Sequence, residues 1–295
     1  MPSLKEVRTR IASVKSTQQI TSAMKMVAAS KLRRAQMAIV NMRPYAKKLN
    51  EILQNVSSSL DSSEENIFGE QRPLHKVLVI AITSNRGLCG AFNANVIKKA
   101  RLLIESDFAA LQKEGKVDVI TIGKKATEYF KKNDFTHLSS YDDLYDDLSF
   151  ENVYPLAEEL LKKFENKDYD KVVIVYNQFK NAATQLVVAE QLLPVVQIEA
   201  SEEQVKSKAN YLFEPSKEEI IGSLLPSILK VQFYKTLLDS YASEHGARMT
   251  AMQQATDNAQ EMLRDLKLKY NKARQAAITG EILEIVGGAE ALKNA

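Results

Sequence analysis

The N-terminal part of the chain reads, from residue 4 to residue 39, LKEVRTRIASVKSTQQITSAMKMVAASKLRRAQMAI. Steps of three and four residues, taken alternately from Leu4 to Leu60, meet an apolar side chain at fourteen of seventeen positions. This spacing predicts one long helix with a single narrow apolar seam, of the kind that packs against another helix. The seam positions are Leu4, Val7, Ile11, Val14, Gln18, Thr21, Lys25, Ala28, Leu32, Ala35, Ile39, Met42, Ala46, Leu49, Leu53, Val56 and Leu60.

Three polar residues that fall together interrupt this seam, namely Gln18, Thr21 and Lys25. Over the same turns an apolar stripe continues one residue out of phase, at Ile20, Met24 and Val27. Two interpretations are open. The helix pair changes phase locally, or the stripe turns away from the partner helix towards a third surface. Pro44 also lies inside the pattern, where it should either kink the helix or be locally accommodated.

A second seam with the same spacing occupies the C-terminal part of the chain, where Ser216 and Glu219 are spaced as a capping box. Fourteen of its nineteen positions are apolar, and they run Ile220, Leu224, Ser227, Val231, Tyr234, Leu238, Tyr241, His245, Arg248, Met252, Ala255, Ala259, Met262, Leu266, Lys269, Ala273, Ala276, Gly280 and Leu283. A lone apolar stripe would face water, so the two seams are predicted to pair as an antiparallel coiled coil. Pro226 is expected to break or kink the second helix before the coil begins.

The middle of the chain follows a different pattern, with short continuous apolar runs at 76–82, 117–123 and 172–176. Such runs are typical of strands buried on both faces, and helical patterns at 93–112, 125–131 and 153–164 alternate with them. The alternation predicts a Rossmann-like α/β domain with a mainly parallel sheet, to which residues 185–193 add an edge strand. The predicted segments are an N-terminal helix at 1–60, a globular α/β domain at 61–215 and a C-terminal helix at 216–295.

Composition narrows the function classes. With 26% charged residues among 295, the chain has no apolar run near the roughly 18 residues that span a bilayer, and no secretory signal is expected at its start. A single cysteine excludes an internal disulfide and a structural zinc cluster. Residues 1–60 carry 11 basic residues against two acidic ones. Such a helix suits nucleic acid, anionic lipid or an acidic protein surface.

One motif could carry chemistry, TSNRGLCGA at 83–91, which follows the first predicted strand and precedes a helix. It has neither the GxGxxG nor the GxxxxGK[ST] spacing of phosphate loops, and a tight turn that needs glycine explains it without a ligand. Cys89 lacks a local base, since His75, His137 and His245 stand far apart. We predict no catalytic, cofactor or metal site.

Two rival functions remain at this point. The chain could be an α/β enzyme whose long helices only dimerise it, or a basic coiled-coil protein that binds nucleic acid. Against the latter, its basic residues lie beside an apolar seam instead of preceding one, and Tyr45 is the only aromatic residue before Phe68.

Eight motifs resemble the gamma subunits of bacterial rotary ATP synthases, in the same order and spacing. They are IASV at 11–14, TQQIT at 17–21, MKMVAASK at 24–31, RPYA at 43–46, RGLCG at 86–90, ARM at 247–249, ATDNA at 255–259 and YNKARQA at 270–276. The resemblance implies a non-catalytic rotor shaft. It would couple proton or sodium flow to ATP synthesis or hydrolysis at the beta subunits, without a cofactor of its own.

The resemblance also implies partners and contact residues. The partners are three alpha and three beta subunits, epsilon and delta, and the membrane c-ring, without nucleic acid and with membrane contact only through the complex. Contacts with the alpha/beta ring are implied for Met24, Lys25, Arg248, Gln275, Thr279 and Glu284, of which Arg248 could instead bridge the two helices. Tyr211 and Glu214 match the foot on the c-ring and epsilon. The implied location is peripheral, at the cytoplasmic face of the bacterial inner membrane.

Overall fold

The structure, a computed structural model, describes residues 3–57, 68–195 and 217–293. Its helices are α1 (Leu4–Ser57), α2 (Phe92–Ser106), α3 (Ala109–Lys113), α4 (Lys124–Phe130), α5 (Phe150–Glu165) and α6 (Lys217–Lys293). Its strands are β1 (Val77–Ile82), β2 (Val117–Ile122), β3 (Thr136–Ser140), β4 (Lys171–Phe179) and β5 (Gln185–Leu193). The chain divides into a helical-pair unit, residues 1–28 with 249–295, and a globular unit, residues 29–248.

The seam predicted along α1 is confirmed. From Leu4 to Leu49 every predicted position is buried or half-buried, including the polar ones. In the helical-pair unit Thr21 contacts Thr256 and Lys25 contacts Gln253, so the numbering falls on one helix as it rises on the other. The two helices are therefore antiparallel, as predicted. α1 runs through Pro44 without interruption.

In the distal part of α6 the predicted seam is confirmed at Leu266, Ala273 and Gly280, which are buried or half-buried, but the positions between them are wrong by one residue. Met262 is 51% exposed, whereas its neighbour Leu263 is 9% exposed. The same shift recurs one and two heptads later, where the less exposed residues are Tyr270 and Ala277 instead of Lys269 and Ala276. Adjacent apolar residues at 262 and 263 satisfy the spacing equally well, so periodicity alone could not choose between them.

The globular unit is built on a five-stranded sheet with the order β3-β2-β1-β4-β5. β1 is central and pairs in parallel with β2 and β4, with Val79 opposite Val119 on one side and Val173 on the other. β5 pairs antiparallel with β4 at one edge, which confirms the edge strand predicted for residues 185–193. β3, at the other edge, was not predicted, because its alternating and partly exposed residues lack a continuous apolar run.

Helices cover both faces of the sheet, as the fully buried strands require. α2 and α4 pack on one face through Val96, Ala100, Ala126 and Phe130. The other face is covered by α5 and, unexpectedly, by the first part of α6. The mainly parallel α/β fold predicted from the sequence is confirmed.

α6 packs on the sheet through an apolar series with a spacing of four residues, Leu225, Leu229, Phe233 and Leu237. The opposite side of the same helix, at Ile228 and Val231, packs on Leu49 of α1. The break expected at Pro226 does not occur, because α6 is continuous from Lys217 to Lys293. This part of α6 is thus a core helix of the globular unit as well as a partner of α1.

None of the helices in the described ranges is long and apolar enough to cross a membrane.

Candidate functional site

The carboxyl ends of β1 and β4 are the position where open α/β sheets usually bind ligands, because neighbouring crossovers leave a crevice there. The turn after β2 is packed closely behind this edge, since a Cβ on Gly123 would lie 2.0 Å from the carbonyl oxygen of Thr83. Only glycine fits at that position, which also has a φ of 102°. The loops at the carboxyl ends of β1 and β2 are therefore closely packed against each other.

The loop from β1 to α2, residues 83–91, is filled by its own side chains. Asn93 accepts from the backbone N–H of Ser84 at 2.9 Å, and the Ser84 hydroxyl donates to the carbonyl of Arg86 at 2.6 Å. The Asn93 amide donates to the sulfur of Cys89 at 3.2 Å. These bonds brace the turn from inside, as expected of a tight turn.

Cys89 does not have the surroundings of a nucleophile. Its side chain is 1% exposed, and burial raises the pKa of its thiol, although the hydrogen bond to Ser84 and the charge of Arg248 oppose the shift. A buried thiol with a raised pKa stays protonated at neutral pH and reacts slowly.

The crevice beside this loop is occupied by α6. Arg248 is 9% exposed, and its Nη2 donates to the carbonyl oxygens of Arg86 at 3.1 Å and Gly87 at 3.3 Å. Its Nη1 forms a charged hydrogen bond with Glu244 one turn earlier. Arg248 therefore connects α6 with the β1–α2 loop, and not, as its seam position suggested, with α1.

Electrostatics at this turn of α6 keep His245 neutral. Burial lowers the pKa of His245 to about 3, and the positive charges of Arg248 and Lys31 act in the same direction. Burial raises the pKa of Glu244, while Arg248, Lys31 and Arg86 oppose that shift. The guanidinium of Arg248 thus has one adjacent carboxylate and a neutral imidazole, whose Nδ1 lies 3.4 Å away.

Two further loops meet the same segment of α6. Tyr145, which follows β3, stacks on Tyr241 with ring centroids 5.9 Å apart. Gly246 faces the loop between β4 and β5, where an added Cβ would lie 3.3 Å from the backbone of Ala182. Loops that follow β1, β3 and β4 therefore all contact α6 between residues 241 and 248.

In the helical-pair unit the polar residues of α1 stay on the seam. The hydroxyls of Thr21 and Thr256 lie 2.8 Å apart, and Lys25 Nζ donates to Gln253 Oε1 at 2.6 Å. The interpretation of a local phase change is therefore wrong. The seam keeps its phase and is polar for two turns.

The out-of-phase stripe consequently faces outward. Ile20 is 59% exposed and Val27 is 58% exposed, while Met24 is half-buried beside the seam. Lys25, a seam position and one of the predicted ring contacts, donates to Gln253 of the partner helix, and its ammonium has two further donors beyond this bond.

The remaining predicted ring contacts lie near the C-terminal end of α6. Gln275, Thr279 and Glu284 are all exposed. Sequence reasoning missed that this end also exposes large apolar side chains, namely Ile278, Ile282, Leu283, Ile285 and Val286, with Leu283 at 66%. The sequence does show one sign of this, because Glu284 is the only charged residue between positions 282 and 289.

The predicted foot residues and the prediction of no metal site remain to be described. Tyr211 and Glu214 lie outside the described residues. Within residues 3–57, 68–195 and 217–293, no cluster of three or more His, Cys, Asp or Glu side chains could hold a metal ion.

Known proteins match the whole chain. A family model described as ATP synthase covers residues 3–292. The ATP synthase gamma chain of Cytophaga hutchinsonii is 55% identical over 295 residues and 100% of both chains, and that of Flavobacterium johnsoniae is 56% identical over 292 residues and 99% of both. A chain in the OSCP/F1/c-ring structure of the Euglena gracilis mitochondrial ATP synthase shares the fold, with a TM-score of 0.67, 22% identity and coverage of 98% of this chain and 94% of that one.

Proposed function

Because this chain belongs to the gamma-chain family of the ATP synthases, we propose that the outward stripe of α1 and the exposed end of α6 are its working contacts with the alpha/beta ring. The chain is the central rotor shaft of the synthase. It is not catalytic itself, since ATP is made and hydrolysed at the beta subunits. Its partners are the alpha and beta subunits, the epsilon and delta subunits and the membrane c-ring.

One observation carries the assignment of the α1 contact. The seam closes over polar residues at Thr21 and Lys25, which leaves Ile20 and Val27 in solvent on the other side of the helix. Exposed apolar residues at these positions do not stabilise the helix pair, so we assign them to contact with another protein surface. Met24, half-buried between the two faces, lies at the margin of that surface.

Charge supports the same partner. The first sixty residues hold 11 basic and two acidic residues, and an acidic lever on beta would be attracted to this helix over a long range. Lys25 is held by the neutral amide of Gln253, so its charge is not cancelled by the group that positions it. An exposed contact of this kind contributes at most about 1 kcal/mol, which is weak enough to be broken and remade at each step of rotation.

At the other end, Gln275, Thr279 and Glu284 are proposed as contacts with the bearing surface of the ring, because they are exposed among large apolar side chains. Arg248 is proposed to support coupling from inside the globular unit. Tyr211 and Glu214 are proposed for the foot on the c-ring and epsilon, on the family resemblance alone. We propose the cytoplasmic face of the bacterial inner membrane as the location of the complex, because relatives that match over the whole chain are bacterial proteins.

The enzyme alternative is not favoured, because α6 and the side chains of the β1–α2 loop occupy the crevice where a nucleotide would bind. Reconstitution tests the assignment. Purified alpha and beta subunits are mixed with this chain, and ATPase activity and the rotation of a tag on the globular unit are measured. Failure to assemble or to rotate refutes the rotor function.

The substitution Met24→Lys tests the contact on α1. A second ammonium beside Lys25 should strengthen attraction to an acidic lever, so that ATP hydrolysis continues while ion pumping per ATP falls. Because Met24 is only half-buried, the full chain should still fold. Met24→Gln, a polar substitution without charge, is the matched control. Loss of folding in both variants would show that Met24 belongs to the core of the helix pair.

A further inference from the structure

We propose that Glu244 and Arg248 form a clamp that fixes α6 to the β1–α2 loop, so that the globular unit turns together with this helix and does not slip around it. The inference rests on the proposed rotor function for its purpose, but its geometry concerns contacts inside this chain. Glu244 thereby becomes a positioning residue for coupling.

The first step is the sharing of one guanidinium among three acceptors. Arg248 binds the Glu244 carboxylate and the carbonyl oxygens of Arg86 and Gly87. The fork of an arginine can reach all three at once, whereas a lysine has a single nitrogen. The carbonyl of Arg86 also accepts from Ser84, so the loop that Arg248 holds is itself rigid.

The second step is the dependence of this arginine on Glu244. Arg248 and Glu244 are 9% and 7% exposed, so each charge needs the other. The other charged or titratable groups near the pair are Lys31, Arg86, His245, Cys89, Tyr145 and Tyr241. None of these supplies a negative charge at neutral pH, because burial raises the pKa of the thiol and of both phenols. Removing the carboxylate leaves a buried guanidinium without compensation, and the arginine would turn away from the loop.

The third step is the location of the clamp. The loop follows β1, the central strand of the sheet, so the clamp adds a polar attachment, at the end of the sheet, to the apolar contacts that α6 makes between residues 225 and 237. Arg248 is the last residue of the globular unit, and α6 continues from it through the helical-pair unit to Lys293. Torque that passes from the globular unit along α6 crosses this turn, and α1 is the second helix that joins the two units.

Cys89 gives a direct measure of the clamp, because it is the only cysteine in the sequence and is buried within the same loop. We expect the rate of maleimide labelling of Cys89 in the full chain to rise at least tenfold in Glu244→Gln. The control is Glu158→Gln, which removes the acidic partner of an exposed pair with the same spacing, Glu158–Lys162 in α5. Its labelling should stay within twofold of the unmodified chain.

Two more variants separate the clamp from a general loss of stability. Arg248→Lys keeps the charge but loses the fork, and should also raise labelling at least tenfold while the circular dichroism of the chain is unchanged. The double variant Glu244→Arg/Arg248→Glu keeps an ion pair but turns a carboxylate towards the two carbonyls, so its labelling should remain fast. Slow labelling in the double variant would show that the ion pair alone matters and would overturn the clamp.

In the complex with alpha, beta and the membrane sector, Glu244→Gln should preserve ATP hydrolysis and lower the number of ions pumped per ATP at least twofold. Wild-type labelling of Cys89 in both single variants, or equally fast labelling in Glu158→Gln, overturns the clamp. An unmodified chain that does not assemble refutes the rotor function instead, and labelling of the full chain still decides whether the clamp exists.

Discussion

Truncating two apolar residues of α1 separates the function of the helix from its stability. Ile20→Ala removes a side chain that faces outward, 59% exposed, whereas Val7→Ala removes one that is 4% exposed on the seam. If the seam keeps its phase, only the second substitution disturbs the helix pair. If the outward stripe is the contact with the ring, only the first disturbs coupling.

The expected sizes follow from burial. Val7→Ala deletes two buried methyl groups at about 0.8 kcal/mol each, and the cavity left behind brings the loss to about 2 kcal/mol. At Ile20 less than half of the side chain is buried. The lost burial is then about 1 kcal/mol or less, and the better helix propensity of alanine offsets part of it, which leaves about 0.5 kcal/mol.

Urea unfolding of the full chain measures the first effect, and ion pumping per ATP in the assembled complex measures the second. We expect Ile20→Ala to unfold at nearly the same urea concentration as the unmodified chain but to couple poorly. Val7→Ala should unfold earlier and couple normally once assembled. A loss in Ile20→Ala as large as that in Val7→Ala would refute the reasoning, because Ile20 would then belong to the seam.

Two further predictions concern the globular unit. Phe233→Ala should lower the free energy of unfolding by about 3–5 kcal/mol in thermal or urea melts, because this fully buried side chain joins α6 to the sheet. His245 should make stability fall with acidity: its pKa is about 3 in the fold against 6.5 for the free group, so the unfolded chain takes up the proton first. The contribution of neutral His245 to the free energy of unfolding is complete above pH 6.5 and should decline by about 1.4 kcal/mol for each pH unit below it. This pH-dependent contribution should be missing in His245→Gln.

Each of these has a simple control. Leu102→Ala, at a side chain that is 45% exposed on α2, should cost far less than Phe233→Ala, and equal losses would mean that α6 does not pack on the sheet as described. For His245 the informative quantity is the difference between the two chains across pH 4–6.5, because other groups, Glu244 among them, titrate in both. Parallel curves would show that the imidazole is protonated in the folded protein.

Much of the architecture followed from local pattern. The positions of α1 that face a partner helix were predicted from Leu4 to Leu49 by their spacing, except that two interpretations stayed open at Gln18, Thr21 and Lys25. There a second apolar stripe runs beside the seam, so spacing alone could not decide between them. The buried strands β1, β2 and β4 were predicted because both of their faces are apolar, and an edge strand at residues 185–193 was expected as well. Where apolar residues are adjacent, as at Met262 and Leu263, the same argument chose wrongly.

The candidate site shows what pattern could not supply. Arg248 lay on a predicted seam, and its spacing pointed to α1, yet its partners are the carbonyls of Arg86 and Gly87, about 160 residues earlier in the chain. Every residue has a backbone carbonyl, so the sequence does not indicate which two accept hydrogen bonds from Arg248. The stripe at Ile20 and Val27 was visible in the sequence, but the structure was needed to show that it faces away from the partner helix.

The long seam of α1 was thus determined by the sequence itself, since the spacing of side chains on a helix is fixed by its 3.6-residue turn. Which residues α6 gives to the sheet, which to α1 and which to solvent was decided only by the tertiary structure. A helix buried on two sides, as α6 is from Leu225 to Arg248, has buried residues on most of its circumference, and small polar residues such as Ser240 and Ser243 lie among the apolar ones. Periodicity then disappears, and only the neighbours that the fold brings together distinguish one face from another.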